Sequence, residues 1–143
     1  MSAEPTTSVS VAVRRLKTRV QFQAVLAGAP VAKTPHFALH RAALNSAPSA
    51  VPLFAPGVAH VGVLTPKRWA KRAVTRNTMR RQIYAVAAEL QTQLPHAAWV
   101  VRLRTAFARE QFPSATSEAL KKAIRAELLA LWQRAMVREA ASA

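Results

Sequence analysis

Apolar positions along the chain switch between a helical and a strand period, and the switches divide it into six elements. Thr18 followed three residues later by Gln21 is a capping-box pattern. Phe22, Val25 and Leu26 form an apolar stripe behind it, and Gly28 with Pro30 closes the segment, so a first helix is predicted over about 18–27. From His36 to Leu44 the residues Phe37, Leu39, Arg41 and Ala43 alternate against the opposite face, the period of a strand. Pro48, Pro52 and Pro56 punctuate a loop over 45–57 that ends at Gly57 and is expected on the surface. Val58 to Leu64 is Val-rich, reads as a second strand, and is stopped by Pro66. Met79, Ile83, Val86, Ala87 and Leu90 recur at i, i+4, i+7, i+8 and i+11, which predicts an amphipathic helix of about 20 residues closing before Pro95. Ala98 to Leu103 makes a third strand, with Trp99, Val101 and Leu103 on one face and Val100, Arg102 and Arg104 on the other. Leu120, Ile124, Leu128, Leu131 and Ala135 mark a last helix, capped by Ser114 or Ser117.

The order α-β-β-α-β-α, with no internal repeat, fits an α+β fold: a small α/β sandwich with helices on a short sheet. A chain of 143 residues supports one domain with a real core. We expect a flexible N-terminal arm over 1–13, the domain over 14–138 and a tail over 139–143. Trp99 and Trp132 belong to the expected core, and Phe22 and Phe37 are core by default, although aromatic rings on an open sheet face also stack unpaired bases.

Charge changes this picture. The formal net charge is +15 and the pI about 12.0, yet 51% of residues are hydrophobic, so the chain is a folded basic protein and not a disordered basic tail. There is no Asp, and of six Glu only Glu4 precedes Glu89, so residues 5–88 hold thirteen cations and no acid. Seven of those cations lie between Lys67 and Arg81. Arg68, Arg72, Arg76 and Arg80 recur every four residues, which in a helix is one row of like charges that repel. Cations in the first turn of a helix also oppose its macrodipole, at about 0.3–1 kcal/mol each. Bound phosphates offset both costs, because they pair with guanidinium forks and accept from free N–H groups. A solvated helix face would alternate signs, and this one does not. A membrane-surface helix would be more apolar in its N-terminal half. Nucleic acid is the expected partner, and Trp69, inside the run, either stacks on a base or packs on the sheet.

The same composition excludes most chemistry. Hydrolysis by paired carboxylates or carboxylate-held metals needs acids converging in one cleft, and six scattered Glu do not promise that. No Ser sits in a nucleophile-elbow context, so no catalytic residue is assigned. His36 and His40 share a strand face but lie apart with no Asp or Cys nearby, so no metal site is assigned either, and His60 and His96 are read as surface or phosphate-facing groups. Cysteine is absent, which removes disulfides and thiolate sites and suits a reducing, cytoplasmic setting. No apolar run approaches the roughly 18 residues of a membrane span, so no membrane partner is expected. The Ser/Thr-rich start followed by Arg14, Arg15 and Lys17 has some transit-peptide character, interrupted by Glu4 and Pro5.

The run Ala73-Val74-Thr75-Arg76-Asn77-Thr78-Met79-Arg80-Arg81 resembles the signature helix of the bacterial ribonuclease P protein component, whose pattern is Ala-Val-x-Arg-Asn-Arg-x-Lys-Arg after a pair of cations. Ala73, Val74, Arg76, Asn77 and Arg81 match, Arg80 stands for Lys, and Lys67-Arg68 stands for the upstream pair. The surroundings are similar too: Val61-Gly62-Val63 before the motif, Gln21-Phe22-Gln23 near the N-terminus, and Trp99-Val100-Val101-Arg102 after it. Together they extend the likeness over roughly 14–135. The chain departs from the pattern at Thr78, where Arg is usual, at Tyr84, where an Arg is expected, and at Lys71, where Gly is common; its 45–57 loop is also long.

The resemblance implies a subunit of the ribonucleoprotein endonuclease that removes the 5′ leader from precursor tRNA, with the chemistry carried by the RNA subunit and its Mg²⁺; no protein partner is evident in the sequence. It implies that Lys67, Arg68, Lys71, Arg72, Arg76, Asn77, Arg80 and Arg81 face the RNA subunit. It also implies a cleft between the first helix and the sheet that holds the single-stranded leader, lined by Phe22 and Phe37. The family's β-α-β crossover is left-handed, whereas general topology would favour a right-handed one. The reading from a different class is a basic ribosomal or nucleoid-associated protein with a structural role. A protein-only nuclease is a third reading that would need a convergent acid site.

Overall fold

The computed structural model describes residues 13–45, 53–108 and 117–142. Five strands and three helices follow in the order β1 (Arg14–Arg15), α1 (Arg19–Leu26), β2 (Ala32–Lys33), β3 (Phe37–Ala42), β4 (His60–Leu64), α2 (Ala73–Glu89), β5 (Ala98–Leu103) and α3 (Glu118–Ser142). They form one mixed sheet in the order β1-β4-β5-β3-β2, with β1 and β5 parallel to β4 and β3 antiparallel to both β5 and β2. The six expected elements are all present. The two extra strands have two residues each, too few for alternation to reveal them.

Alternation along the strands sorts the sheet into two faces. Phe37, Leu39, Val61, Val63, Trp99, Val101 and Leu103 point to one side, where Met79, Ile83 and Val86 of α2 and Leu120, Ile124, Leu128 and Leu131 of α3 close the main core. Trp99 and Trp132 meet edge to face at 5.2 Å inside it. On the other side Leu16, Val25, Phe54, Ala98 and Val100 form a second, smaller core beneath α1. Thr18 and Gln21 make the reciprocal capping box that starts α1. Ser117 Oγ accepts from the Leu120 N–H at 3.1 Å to start α3; Ser114, the other expected cap, lies outside the described residues.

The handedness of the β4-α2-β5 crossover follows from chirality and one hydrogen bond. His60 N–H donates to the Ala97 carbonyl, so residues with side chains on the α1 face aim their backbone groups at β5. In an L-chain viewed from that face with β4 running upward, those groups point right, so β5 lies to the right while α2 packs behind. That path is left-handed, as the family resemblance implies and against the general preference.

The C-terminal helix runs to Ser142, so residues 139–142 continue the domain and are not a tail. Alanine favours that continuation, and Glu139 is held by Arg41 at 3.1 Å. At the other end of the sheet Glu127 clamps the β2–β3 turn to α3: its carboxylate accepts from Thr34 Oγ1 and the His36 N–H, each at 2.6 Å, and pairs with His36 Nδ1 at 2.7 Å. The expected arm over 1–13 falls almost wholly outside the described residues; Val13 packs on the main core.

Candidate nucleic-acid interface

The basic segment is a turn followed by a helix, not one long helix. The Pro66 carbonyl accepts from Trp69 N–H at 3.0 Å and Ala70 N–H at 3.2 Å, and α2 begins only at Ala73. Arg68 and Arg72 therefore precede the helix, and the expected row of four arginines is shortened to Arg76 and Arg80. The break lies at Arg72, whose φ of −83° and ψ of 137° are extended, so the single turn after Pro66 does not run on into α2. Arg76 has a second task, because its Nη1 donates to the Ala70 carbonyl at 3.0 Å and the Lys71 carbonyl at 2.8 Å, tying the turn to the first coil of α2.

Lys67, Arg68, Lys71, Arg72, Asn77, Arg80 and Arg81 are all exposed, and Arg76 is half-buried. The described ion pairs join Glu89 to Arg125, Glu118 to Lys121, Glu127 to His36 and Glu139 to Arg41, so none of them neutralises a cation between Lys67 and Arg81. Arg72, the N-cap residue of α2, makes no side-chain cap bond, and the first turn carries no acid. Cations repelling one another beside an uncapped, electropositive helix start form a surface complementary to phosphate. Thr78 takes no part in it: its hydroxyl donates to the Val74 carbonyl at 2.9 Å and the residue is 6% exposed. Tyr84 is half-buried with the Arg15 guanidinium 4.0 Å above its ring and that of Arg80 5.8 Å away, which extends the basic surface to β1. Arg15 was not singled out by the sequence, because its β1 strand was not legible there.

The two aromatic residues expected in one cleft stand on opposite faces of the sheet. Phe22 packs on the α1 face against Gly62, where an added Cβ would come within 2.7 Å of Phe22 Cε1 and 2.8 Å of Leu16 Cδ1. Phe37 lies in the main core with no exposure, tilted against Phe107 at 5.9 Å. Strand alternation decides this: odd positions of β3 face α3, and only Ala38, His40 and Ala42 face α1. Phe37 is thereby removed from the expected leader-binding pair. The described end of the long loop also occupies the α1 side, where Phe54 is buried and Gln21 Nε2 donates to the Leu53 carbonyl at 2.8 Å.

Two histidines are buried beside α1, contrary to the surface role expected for His60. His60 stacks edge-on to Phe54 and its Nδ1 contacts the Val58 carbonyl at 3.1 Å. His40 Nδ1 lies 3.1 Å from the Gly28 carbonyl, while its Nε2 accepts from Arg102 Nε at 3.2 Å. That arrangement suits only the neutral Nδ1–H tautomer. Burial pushes the pKa of both below 6.5, opposed in each by the backbone hydrogen bond and aided by Arg102 or Arg14. A lowered folded pKa means the unfolded chain binds more protons, so this contribution is present above pH 6.5 and is lost as pH falls below it. The melting temperature should therefore fall on acidification from pH 7 to 5.5, and fall less in His40→Gln; a flat profile in the parent protein would contradict the buried neutral assignment.

The ribonuclease P family model matches residues 12–135. The chain belongs to the ribonuclease P protein family. It is 33% identical over 119 residues to the ribonuclease P protein component of Ralstonia pickettii, covering 83% of this chain and 76% of that one. It is 33% identical over 114 residues to that of Bordetella parapertussis, covering 80% and 85%. The ribonuclease P protein of Staphylococcus aureus shares the fold, with a TM-score of 0.62 at 16% identity over 85% of this chain and 94% of that one. Departures of this ribonuclease P family member from the motif have local reasons. Thr78 serves the interior of α2, and Tyr84 serves as a platform for two arginines.

Proposed function

We propose that this chain is the protein subunit that assists a catalytic RNA in removing the 5′ leader from precursor tRNA, and that its task is to bind. The observation that carries this reading is the run of exposed cations around the start of α2 that has no ion pair among the described residues. Lys67, Arg68, Lys71, Arg72, Arg80 and Arg81 meet phosphates of the RNA subunit, Asn77 adds hydrogen-bonding groups, and Arg76 contributes one edge of its guanidinium while the other holds the turn. Phe22, with Gly62 beneath it, offers a ring on the α1 face for an unpaired leader base. Among the described residues no three of His, Asp and Glu come together as a metal-holding group, so the described donor set offers no site suited to Mg²⁺. In this reading the ion belongs to the RNA. No helix among the described residues is long and apolar enough to cross a membrane.

Native purification of a tagged chain, followed by sequencing of the RNA that comes with it, tests the proposal. Enrichment of one structured non-ribosomal RNA together with tRNA precursors bearing leaders is expected. Ribosomal RNA in bulk proportion, with no precursor enrichment, would favour the ribosomal or nucleoid-associated role instead.

A further inference from the structure

A cavity of about 230 Å³ opens between the turn before α2 and the segment after β5. Its interior is apolar: Ala70, Met79 and Leu120 are buried, and Trp69 and Phe107 are part-buried. Its mouth is cationic, with Arg68, Lys71 and Arg72 exposed and Thr75 beside them, and none of the described residues that line it is a carboxylate. This is below the roughly 300–1,000 Å³ of sites for drug-sized ligands, so the space suits a single planar ring system. The aromatic walls are braced. His36 stacks on Phe107 at 3.8 Å and 8°, and Glu127 holds His36 in turn at 2.7 Å. The Arg68 guanidinium lies 5.4 Å from the Trp69 ring. An apolar, aromatic slot with a cationic rim recognises a π-face attached to an anion.

We infer that this cavity receives one unpaired nucleotide of bound RNA, its base against Trp69 and Phe107 and its flanking phosphates on Arg68, Lys71 and Arg72. The inference rests on the RNA-binding reading of the basic surface and deepens it, since it adds base capture to phosphate contact. It also gives Trp69 a role that neither simple core packing nor charge requires. The site is separate from Phe22, which stands on the other face of the sheet.

The test compares binding of the full chain to a short single-stranded oligoadenylate and to an abasic strand of the same length and charge. Stacking on an aromatic side chain predicts that the oligoadenylate binds about 5- to 150-fold tighter. Trp99 and Trp132 are fully buried, so quenching of tryptophan emission by the oligoadenylate reports on Trp69. Trp69→Leu, which keeps apolar volume, should abolish the tryptophan quenching and lower the preference while leaving affinity for the abasic strand unchanged, and should do so by the same factor in a Phe22→Ala background, because Phe22 stands on the other face of the sheet. If Trp69→Leu unfolds, Phe107→Leu and the quenching of the parent protein carry the same test. Equal binding of the two strands by the parent, or a preference that Trp69→Leu leaves unchanged in both backgrounds, would overturn the inference. Because no precursor tRNA is involved, failure here leaves the subunit reading standing, and failure of leader removal leaves this result standing.

Discussion

Replacing Arg72, Arg80 and Arg81 together by Ala is expected to weaken binding to the RNA subunit about 100-fold and to flatten its salt dependence. Each side chain is exposed, and none is in an ion pair among the described residues, so its loss should remove an RNA contact and, for Arg80, only a 5.8 Å contact with the Tyr84 ring besides. At about 1 kcal/mol for each contact the three together amount to roughly 3 kcal/mol, or about two decades in Kd. Each phosphate released also removes about 0.7–0.9 from the log-log salt slope, so the triple variant should lose roughly 2–3 from it. The loss should extend to unrelated RNA sequences, because phosphate contacts carry no base information. Arg76→Ala should behave differently. Its Nη1 holds the Ala70 and Lys71 carbonyls, so removing it should loosen the turn that presents Arg68, Lys71 and Arg72, with a slope change of one contact or less but a larger affinity loss than that contact explains. A triple variant with an unchanged salt slope would mean that these arginines do not meet phosphate.

Phe37→Ala should destabilise the fold and spare leader recognition. Phe37 has no exposure and packs with Phe107 under α3, so truncation leaves a cavity in the main core, at about 3–5 kcal/mol. For a chain of this size the melting temperature should fall by roughly 10–20 °C. Once the variant is held below its transition, its preference for precursor over mature tRNA should match that of the parent. Phe22→Ala should give the opposite pattern: a small stability change, because the ring is only half-buried, and a loss of about 1–3 kcal/mol in binding precursor tRNA with mature tRNA unaffected. Calorimetry beside binding to both tRNAs separates them. A leader-specific defect in Phe37→Ala at normal stability would show that the sheet face has been assigned wrongly.

Much of this was legible in the chain. The capping box at Thr18 and Gln21, the 3.6-residue periods of Met79 to Val86 and Leu120 to Ala135, and the alternation around Trp99 located every long element, because each signal repeats several times. Strands of two residues repeat nothing, so β1 and β2 were invisible and Arg15 was missed with them. The charge spacing of four residues continues upstream of Ala73 and so conceals the start of α2, which is set by the extended backbone at Arg72 after a separate turn. Facing was the harder question. Phe22 and Phe37 are both aromatic residues near one end of the chain, and only the pairing register of β3 with β5 shows that Phe37 turns away from α1. Burial of His40 and His60 was unreadable for a related reason: it depends on Gly28, Val58 and Phe54 closing over the α1 face, contacts that come from separate loops.

The central claim is that the chain binds and RNA cleaves. It is tested most directly by reconstitution with a ribonuclease P RNA subunit and a precursor tRNA at low Mg²⁺. Three samples are compared: RNA alone, RNA with this chain, and the chain rigorously freed of RNA. The account predicts slow or no leader removal by the RNA alone, efficient removal at the same Mg²⁺ when the chain is added, and none by the chain by itself. Metal-dependent cleavage by the RNA-free chain, or an RNA reaction that the chain leaves unchanged across the Mg²⁺ range, would contradict it.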